Sequence, residues 1–253
     1  MKKINYLLLS FLFVTLFACN SNNNNSTEED NNNSTEEDIN HDMDEHSQDD
    51  YTEEDYALDF KVTDGKFEDI ENSLYKGDIV ALRTWEDLNG YNYFVVSIVN
   101  NETPETDDSP VAINREIHGY HYIATEGGPE LIREIKDFET DCIFDNRLAF
   151  DEKYLSLVDL DGDNYGEICF LYSLGCTSEL SPDGVKLMYL ENGDKYAIRG
   201  NTFVDYGYEG VGGEKNVDGN FKSGPKVFLD YANEQWDNYM LEHNFYSDNG
   251  GGC

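Results

Sequence analysis

The chain has 253 residues, 53 acids against 17 bases and a formal net charge of −36. It therefore repels nucleic acid wherever no basic patch overrides the field, and the sequence shows no such patch. The first 19 residues carry two lysines and no acid, and residues 20–55 carry fourteen acids and no Lys or Arg, which leaves a net −24 on residues 56–253. About 200 residues suffice there for one domain with a real core, and 13% aromatics with 18 Tyr point to a sheet-rich one.

At the start, Lys2-Lys3 precede an apolar run from Ile4 to Phe17 that is interrupted only by Asn5, Ser10 and Thr15. The run is too short to span a bilayer as a helix, which takes about 20 apolar residues, and it has the parts of a secretory signal. Leu16-Phe17-Ala18-Cys19 closes it as a lipobox, and on these residues the chain resembles a bacterial lipoprotein precursor. The resemblance implies removal of residues 1–18 and acylation of Cys19, which anchors the chain to the outer membrane facing the periplasm or the cell surface. Each buried methylene contributes about 0.8 kcal/mol, and two or more acyl chains hold stably where one is marginal. The alternative is an ordinary cleaved signal with an incidental cysteine.

Residues 19–55 read as a tether. Asn22 to Asp30 nearly repeats as Asn31 to Asp38, in low complexity with few apolar groups and unbroken negative charge. Such a segment does not offset its chain entropy, so the sequence predicts an extended, disordered spacer that holds the domain roughly 30 Å or more from the lipid surface. An acidic stretch close to the lipidated Cys is similar to surface-export tags of Gram-negative lipoproteins, although here Asn and Ser fill the first positions and acid arrives only at Glu28.

The domain is expected over 56–245, with a flexible tail over 246–253. Ala57 to Val62 alternates as a strand, Asp64-Gly65 turns, and Phe67, Ile70 and Leu74 share one face of a short helix over Phe67–Leu74. Strands follow at Ile79–Thr84 and Tyr91–Val99 around Asn89-Gly90, a strong hairpin signal. Beyond an acidic loop at Pro104–Pro110, Ile117–Thr125 and Leu131–Phe138 flank Glu126-Gly127-Gly128-Pro129. Tyr154–Val158 pairs with Ile168–Leu174, and Val185–Leu190 with Tyr196–Arg199 through Glu191-Asn192-Gly193-Asp194. Residues 205–225, rich in Gly, Asn and Asp, read as a long mobile surface loop. After Pro225, Val227–Asn244 spaces Phe228, Tyr231, Trp236 and Tyr239 or Met240 as the apolar face of a helix. The expected fold is mainly β within the α+β class: an antiparallel meander sheet with a C-terminal amphipathic helix.

Once Cys19 is lipidated, Cys142, Cys169, Cys176 and Cys253 remain and allow three pairings. Export favours an oxidised pair. Cys142 with Cys176 is the preferred one, leaving Cys169 buried in a strand and Cys253 on the Gly250-Gly251-Gly252 tail; the other pairings and the fully reduced state stay open.

The sharpest motif is Asp159-Leu160-Asp161-Gly162-Asp163-Asn164-Tyr165-Gly166-Glu167, with acids at positions 1, 3, 5 and 9 between two apolar runs. Crowded carboxylates repel, whereas a hard cation with six to eight oxygen ligands converts the repulsion into coordination, and calcium fits best. Asp159, Asp161 and Asp163 would each give one oxygen, Tyr165 its carbonyl and Glu167 one or two. Phe170 stands where an EF-hand needs its bidentate Glu. The loop resembles instead the nine-residue calcium loop joining two strands in integrin-type propeller repeats. That family prefers Gly at the sixth position; Asn164 stands here, and Asn enters the left-handed region more readily than most residues. Only one copy is present, so no propeller is implied, and Val217-Asp218-Gly219-Asn220 is at best a fragment. A solvated, metal-free turn is the alternative.

Other candidates carry less. His118 and His121 are three apart on a strand and point to opposite faces, so they do not share a metal. Gly210-Val211-Gly212-Gly213 lacks the strand before it and the helix after it that a phosphate cradle needs. Glu134 and Asp137 are acids of the kind glycoside hydrolysis uses, but spacing in an acidic chain says nothing of carboxyl separation. Tyr91, Tyr93, Tyr120, Tyr122, Tyr206 and Tyr208 would stack on sugar rings if exposed, or pack as cross-strand pairs.

Five stretches together, Trp85 to Tyr93, Asp141 to Asp145, the loop from Asp159, Tyr172 to Pro182 and Lys195 to Gly200, look like a family of exported proteins named for a part in surface polysaccharide biosynthesis. The resemblance implies a non-catalytic accessory that meets glycan or polysaccharide-assembly proteins, and it supplies no catalytic residues. The rival expectations are a glycan-acting enzyme and a surface adhesion or binding module.

Overall fold

Two antiparallel five-stranded sheets and a long C-terminal helix carry the fold in the computed structural model, which describes residues 61–63, 70–107 and 110–246. The signal, Cys19, the tether, Ala57 to Phe60, the Asp64-Gly65 turn, the expected helix start at Phe67 and residues 247–253 with Cys253 lie outside the described residues.

The first sheet runs in chain order through β1 (Lys61–Thr63), β2 (Asp78–Asp87), β3 (Gly90–Thr103), β4 (Ala112–Thr125) and β5 (Gly128–Cys142). The second is again a meander, β6 (Asp145–Val158), β7 (Glu167–Thr177), β8 (Gly184–Glu191) and β9 (Asp194–Asn201), closed by β12 (Lys215–Val217) on the β9 edge. The expected single meander is thus two, joined by the two residues Ile143 and Phe144 between β5 and β6. Tight turns set the register. Asn192 and Gly193 between β8 and β9 both hold positive φ, 41° and 85°, the left-handed pair that suits a two-residue hairpin.

Side-chain alternation explains the stacking. Trp85, Phe94, Val96, Ile117 and Ile135 of the first sheet meet Ile168, Phe170, Tyr172, Met188 and Leu190 of the second, with the Phe94 and Phe170 rings 5.3 Å apart. The opposite face of the second sheet, Cys169, Leu171, Val185, Leu187 and Tyr189, takes the helical layer. Its central strands are buried on both sides, which is why Ile168 to Tyr172 is continuously apolar. Helix α2 (Lys226–His243) docks there through Phe228, Tyr231, Ala232, Trp236 and Tyr239, the face the sequence marked out, with Met240 only partly buried. Each fully buried side chain of this size contributes about 1.5–3 kcal/mol.

Two expectations are corrected. Residues 70–75 form a turn, with Leu74 N–H donating to the Glu71 carbonyl at 2.9 Å, and no helix. Local side-chain bonds such as Tyr75 Oη to Asn72 Oδ1 at 2.7 Å compete with the helical ladder. Ile70, Leu74 and Tyr75 instead cover the outer face of the first sheet, where Tyr93, Tyr120 and Tyr122 are buried. These tyrosines are packing pairs, the Tyr93 and Tyr122 rings stacking at 5.4 Å, while Tyr208 is exposed. The second correction concerns residues 205–225, which are structured. A ribbon of β10 (Phe203–Asp205) and β11 (Gly210–Gly212), then β12 and α1 (Gly219–Ser223), occupies this stretch. Main-chain pairing of β12 with β9 and one buried ring, Phe221, order a segment whose composition shows almost nothing to bury.

At one end of β7 the sheets are covalently tied, for Cys142 at the end of β5 is disulfide-bonded to Cys176 with their Cα atoms 5.7 Å apart. Cys169, the third residue of the same strand, is a buried free thiol.

Candidate metal centre

The acidic motif occupies the other end of β7, as the connection of an antiparallel hairpin in which Val158 pairs with Glu167. Its own side chains fold it. Asp159 accepts from the Gly162 amide at 2.9 Å and the Asn164 amide at 3.1 Å, Asp161 from Asp163 at 3.3 Å, and Asp163 from Tyr165 at 2.9 Å. These are Asx turns, in which a short carboxylate replaces main-chain partners. Asn164 has φ 66° and Gly162 φ 74°, so Asn fills the left-handed sixth position that the loop demands.

The fold brings one oxygen from each of Asp159, Asp161, Asp163 and Glu167 within 4.8 Å of the others. The three aspartates line the open side. Glu167 is fully buried; its Oε2 accepts from the Leu160 amide at 2.8 Å, and its Oε1 meets no hydrogen-bond partner among the described residues. A buried carboxylate oxygen left without a partner costs about 1–3 kcal/mol or more. Burial first, then the charges of Asp161, Asp159 and Glu191, push the Glu167 carboxyl up to about 9, against the Leu160 amide, which favours ionisation. Burial and the same aspartates push Glu191 up to about 7, and Asp161 is raised by burial and by Asp163. A cation among these oxygens reverses this electrostatic cost. Tyr165, expected to lend its carbonyl, sits in the same turn.

Sequence reading did not find what holds the loop from behind. Asp87, at the end of β2, accepts through Oδ2 from the Gly166 amide at 3.0 Å and from Trp85 Nε1 at 2.7 Å. Its Oδ1 accepts from Asn92 Nδ2 at 2.8 Å, and Leu88 N–H donates to the Asn164 carbonyl at 3.2 Å. A Cβ at residue 166 would lie 2.5 Å from Trp85 Nε1, so only Gly lets loop and indole meet. Asp87 stands two residues before Asn89-Gly90, and only that hairpin signal hinted at its place.

His118 and His121 do face opposite sides of β4: His118 lies 3.0 Å from Glu116, and His121 packs beside Trp85 in the sandwich. Asn92 Nδ2 is committed to Asp87 and Gly90, so its Oδ1 accepts, and His121 Nε2, 3.0 Å away, must carry the proton. The other ring nitrogen is buried without a hydrogen-bond partner among the described residues. Burial holds His121 down to about 4 despite the nearby Asp87 charge. The unfolded ring therefore binds a proton first, and the stabilisation from neutral His121 is complete above pH 6.5 and is lost as pH falls toward 4. We expect wild type to lose about 2–3 kcal/mol more than His121→Gln between pH 7 and 4.5, measured by urea unfolding. Equal losses would refute the neutral, buried ring.

Comparison with protein families, with curated proteins and with solved structures finds no match for this chain.

Proposed function

We propose that the protein is a lipid-anchored, exported, non-catalytic accessory of surface polysaccharide synthesis or assembly, whose folded unit is completed by a structural calcium ion in the β6–β7 loop. The observation that carries the calcium reading is the buried, unpartnered Glu167 Oε1 among three converging aspartates, the arrangement a hard oxygen-loving cation relieves. Asp159, Asp161, Asp163 and Glu167 are the side-chain ligands, with the Tyr165 carbonyl as a fifth. The lipobox at Cys19 supports the anchor, and the five motif stretches support the polysaccharide role.

The enzyme alternative calls for a strongly raised acid in a cleft. The carboxyls pushed highest, Glu167 and Glu191, belong to the calcium loop and its surroundings. Asp137 is bound by Lys186 and by the Tyr172 hydroxyl, and Glu134 lies 3.7 Å from His118, so both have structural partners. This engagement favours the non-catalytic reading.

The deciding experiment is the surface polysaccharide profile of a deletion strain, complemented with wild type or with Asp161→Ala. The expected result is an altered profile restored by wild type and not by the variant. An unaltered profile would remove the polysaccharide role and leave adhesion as the better reading.

A further inference from the structure

The first sheet does not cover the whole inner face of the second. Where its edge strand β5 ends the cover, a cleft of about 240 Å³ opens between Glu134, Ile135, Lys136 and Asp137 above and Tyr172, Lys186, Met188, Lys195 and Arg199 below. Strand register builds its floor, because Tyr172 pairs with Lys186 and Lys186 with Arg199 across β7, β8 and β9. Lys195 and Arg199 lie four residues apart on one face of β9, with Ala197 fully buried between them.

Charge is placed oddly here. Residues 56–253 hold 15 Lys and Arg against a net charge of −24, yet three of the cations, Lys186, Lys195 and Arg199, lie on the floor of this one cleft. Like charges directly opposed across a sheet are destabilising, and Lys186 faces Arg199. Asp137 answers Lys186, Asp218 answers Arg199 and Glu116 answers Lys136. The Lys195 ammonium has no ion pair or hydrogen bond among the described residues. The cleft is also built to be rigid, since Tyr172, 1% exposed, fixes Asp137 through a 3.1 Å hydrogen bond.

We propose that this cleft binds an acidic sugar: a pyranose unit whose carboxylate meets Lys195 and Arg199 and whose hydroxyls meet Asp137. A bare anion uses only the cations and fills little of the space. A sugar acid uses the cations and the Asp137 acceptor together and fills more of it. The choice of a sugar rests on the polysaccharide reading; the site itself is independent of the calcium loop.

The test is calorimetric titration of the detergent-solubilised full-length protein with trigalacturonate, with maltotriose as the neutral match and inorganic phosphate as the bare anion. Trigalacturonate is expected to bind, maltotriose at least about tenfold more weakly, and Lys195→Gln to lose about tenfold, the loss of one charge-assisted contact. Lys222→Gln, an exposed cation on α1, is the control and is expected to bind as wild type. Absence of trigalacturonate binding, an unaffected Lys195→Gln, or phosphate binding as tightly at the same site would each overturn the proposal. The two readings separate in the deletion strain. No sugar binding with an altered polysaccharide profile sinks the cleft alone, and sugar binding with an unaltered profile sinks the biosynthetic role and upholds the cleft.

Discussion

In millimolar calcium the protein is expected to melt about 5–10 °C above its midpoint in EDTA. A ligand at about a hundred times its Kd adds about 2.7 kcal/mol to the native state, and for a domain of this size each kcal/mol moves the midpoint by about 2–4 °C. The variants distinguish the contributions of the proposed ligands. Glu167→Gln keeps the shape of the buried side chain and removes the charge that burial opposes, so its midpoint in EDTA is expected to equal or exceed that of wild type, with no gain from calcium. Asp161→Ala is expected to lose the gain too. Asp159→Ala differs, because Asp159 also holds the Gly162 and Asn164 amides, and it is expected to melt lower even in EDTA. A wild-type midpoint that is the same in calcium and EDTA would leave the loop as a self-capped acidic turn and remove calcium from the proposed function.

The second large effect is expected from the cross-sheet disulfide. Cys142 and Cys176 are 34 residues apart, and opening a loop of that length returns about 3–4 kcal/mol of chain entropy to the unfolded state. Paired Cys142→Ser and Cys176→Ser substitutions are expected to lower the midpoint by about 10 °C, with little change in far-ultraviolet circular dichroism because each sheet keeps its own ladder. Cys169→Ala, by contrast, trims a fully buried side chain without touching the bridge. A drop after reduction of wild type that matches the double variant would assign the effect to the bond, and an unchanged midpoint in both would show that packing alone joins the sheets.

These sites differ in how far the sequence disclosed them. The acidic loop was legible because its four converging acids fall within nine residues, and the Asn-Gly and Gly-Gly signals marked three of the hairpins. The terminal helix was legible through the spacing of Phe228, Tyr231, Trp236 and Tyr239. The second meander was hidden, since nothing local to Cys142-Ile143-Phe144-Asp145 says that the chain turns a corner there and starts a new layer. The ordered path through 205–225 was hidden as well, because it depends on main-chain pairing and on one ring, Phe221. Asp87 and the basic cleft are products of packing. Asp87 is 79 residues from Gly166, and Lys186 and Arg199 meet only in strand register.

Strand β7 is held at both of its ends: by the bridge at Cys176, and by the acidic loop at Glu167 with Asp87 of the opposite sheet behind it. The two ends are about 30 Å apart at the rise of an extended strand. Under the proposed export, both fastenings depend on what lies outside the compartment of synthesis, an oxidant for one and free calcium at high concentration for the other. Before translocation the sheets would associate by packing alone, and the chain could still be drawn out and threaded. On that proposal the chain would acquire two independent latches past the membrane, and its route would set the moment at which it becomes hard to unfold.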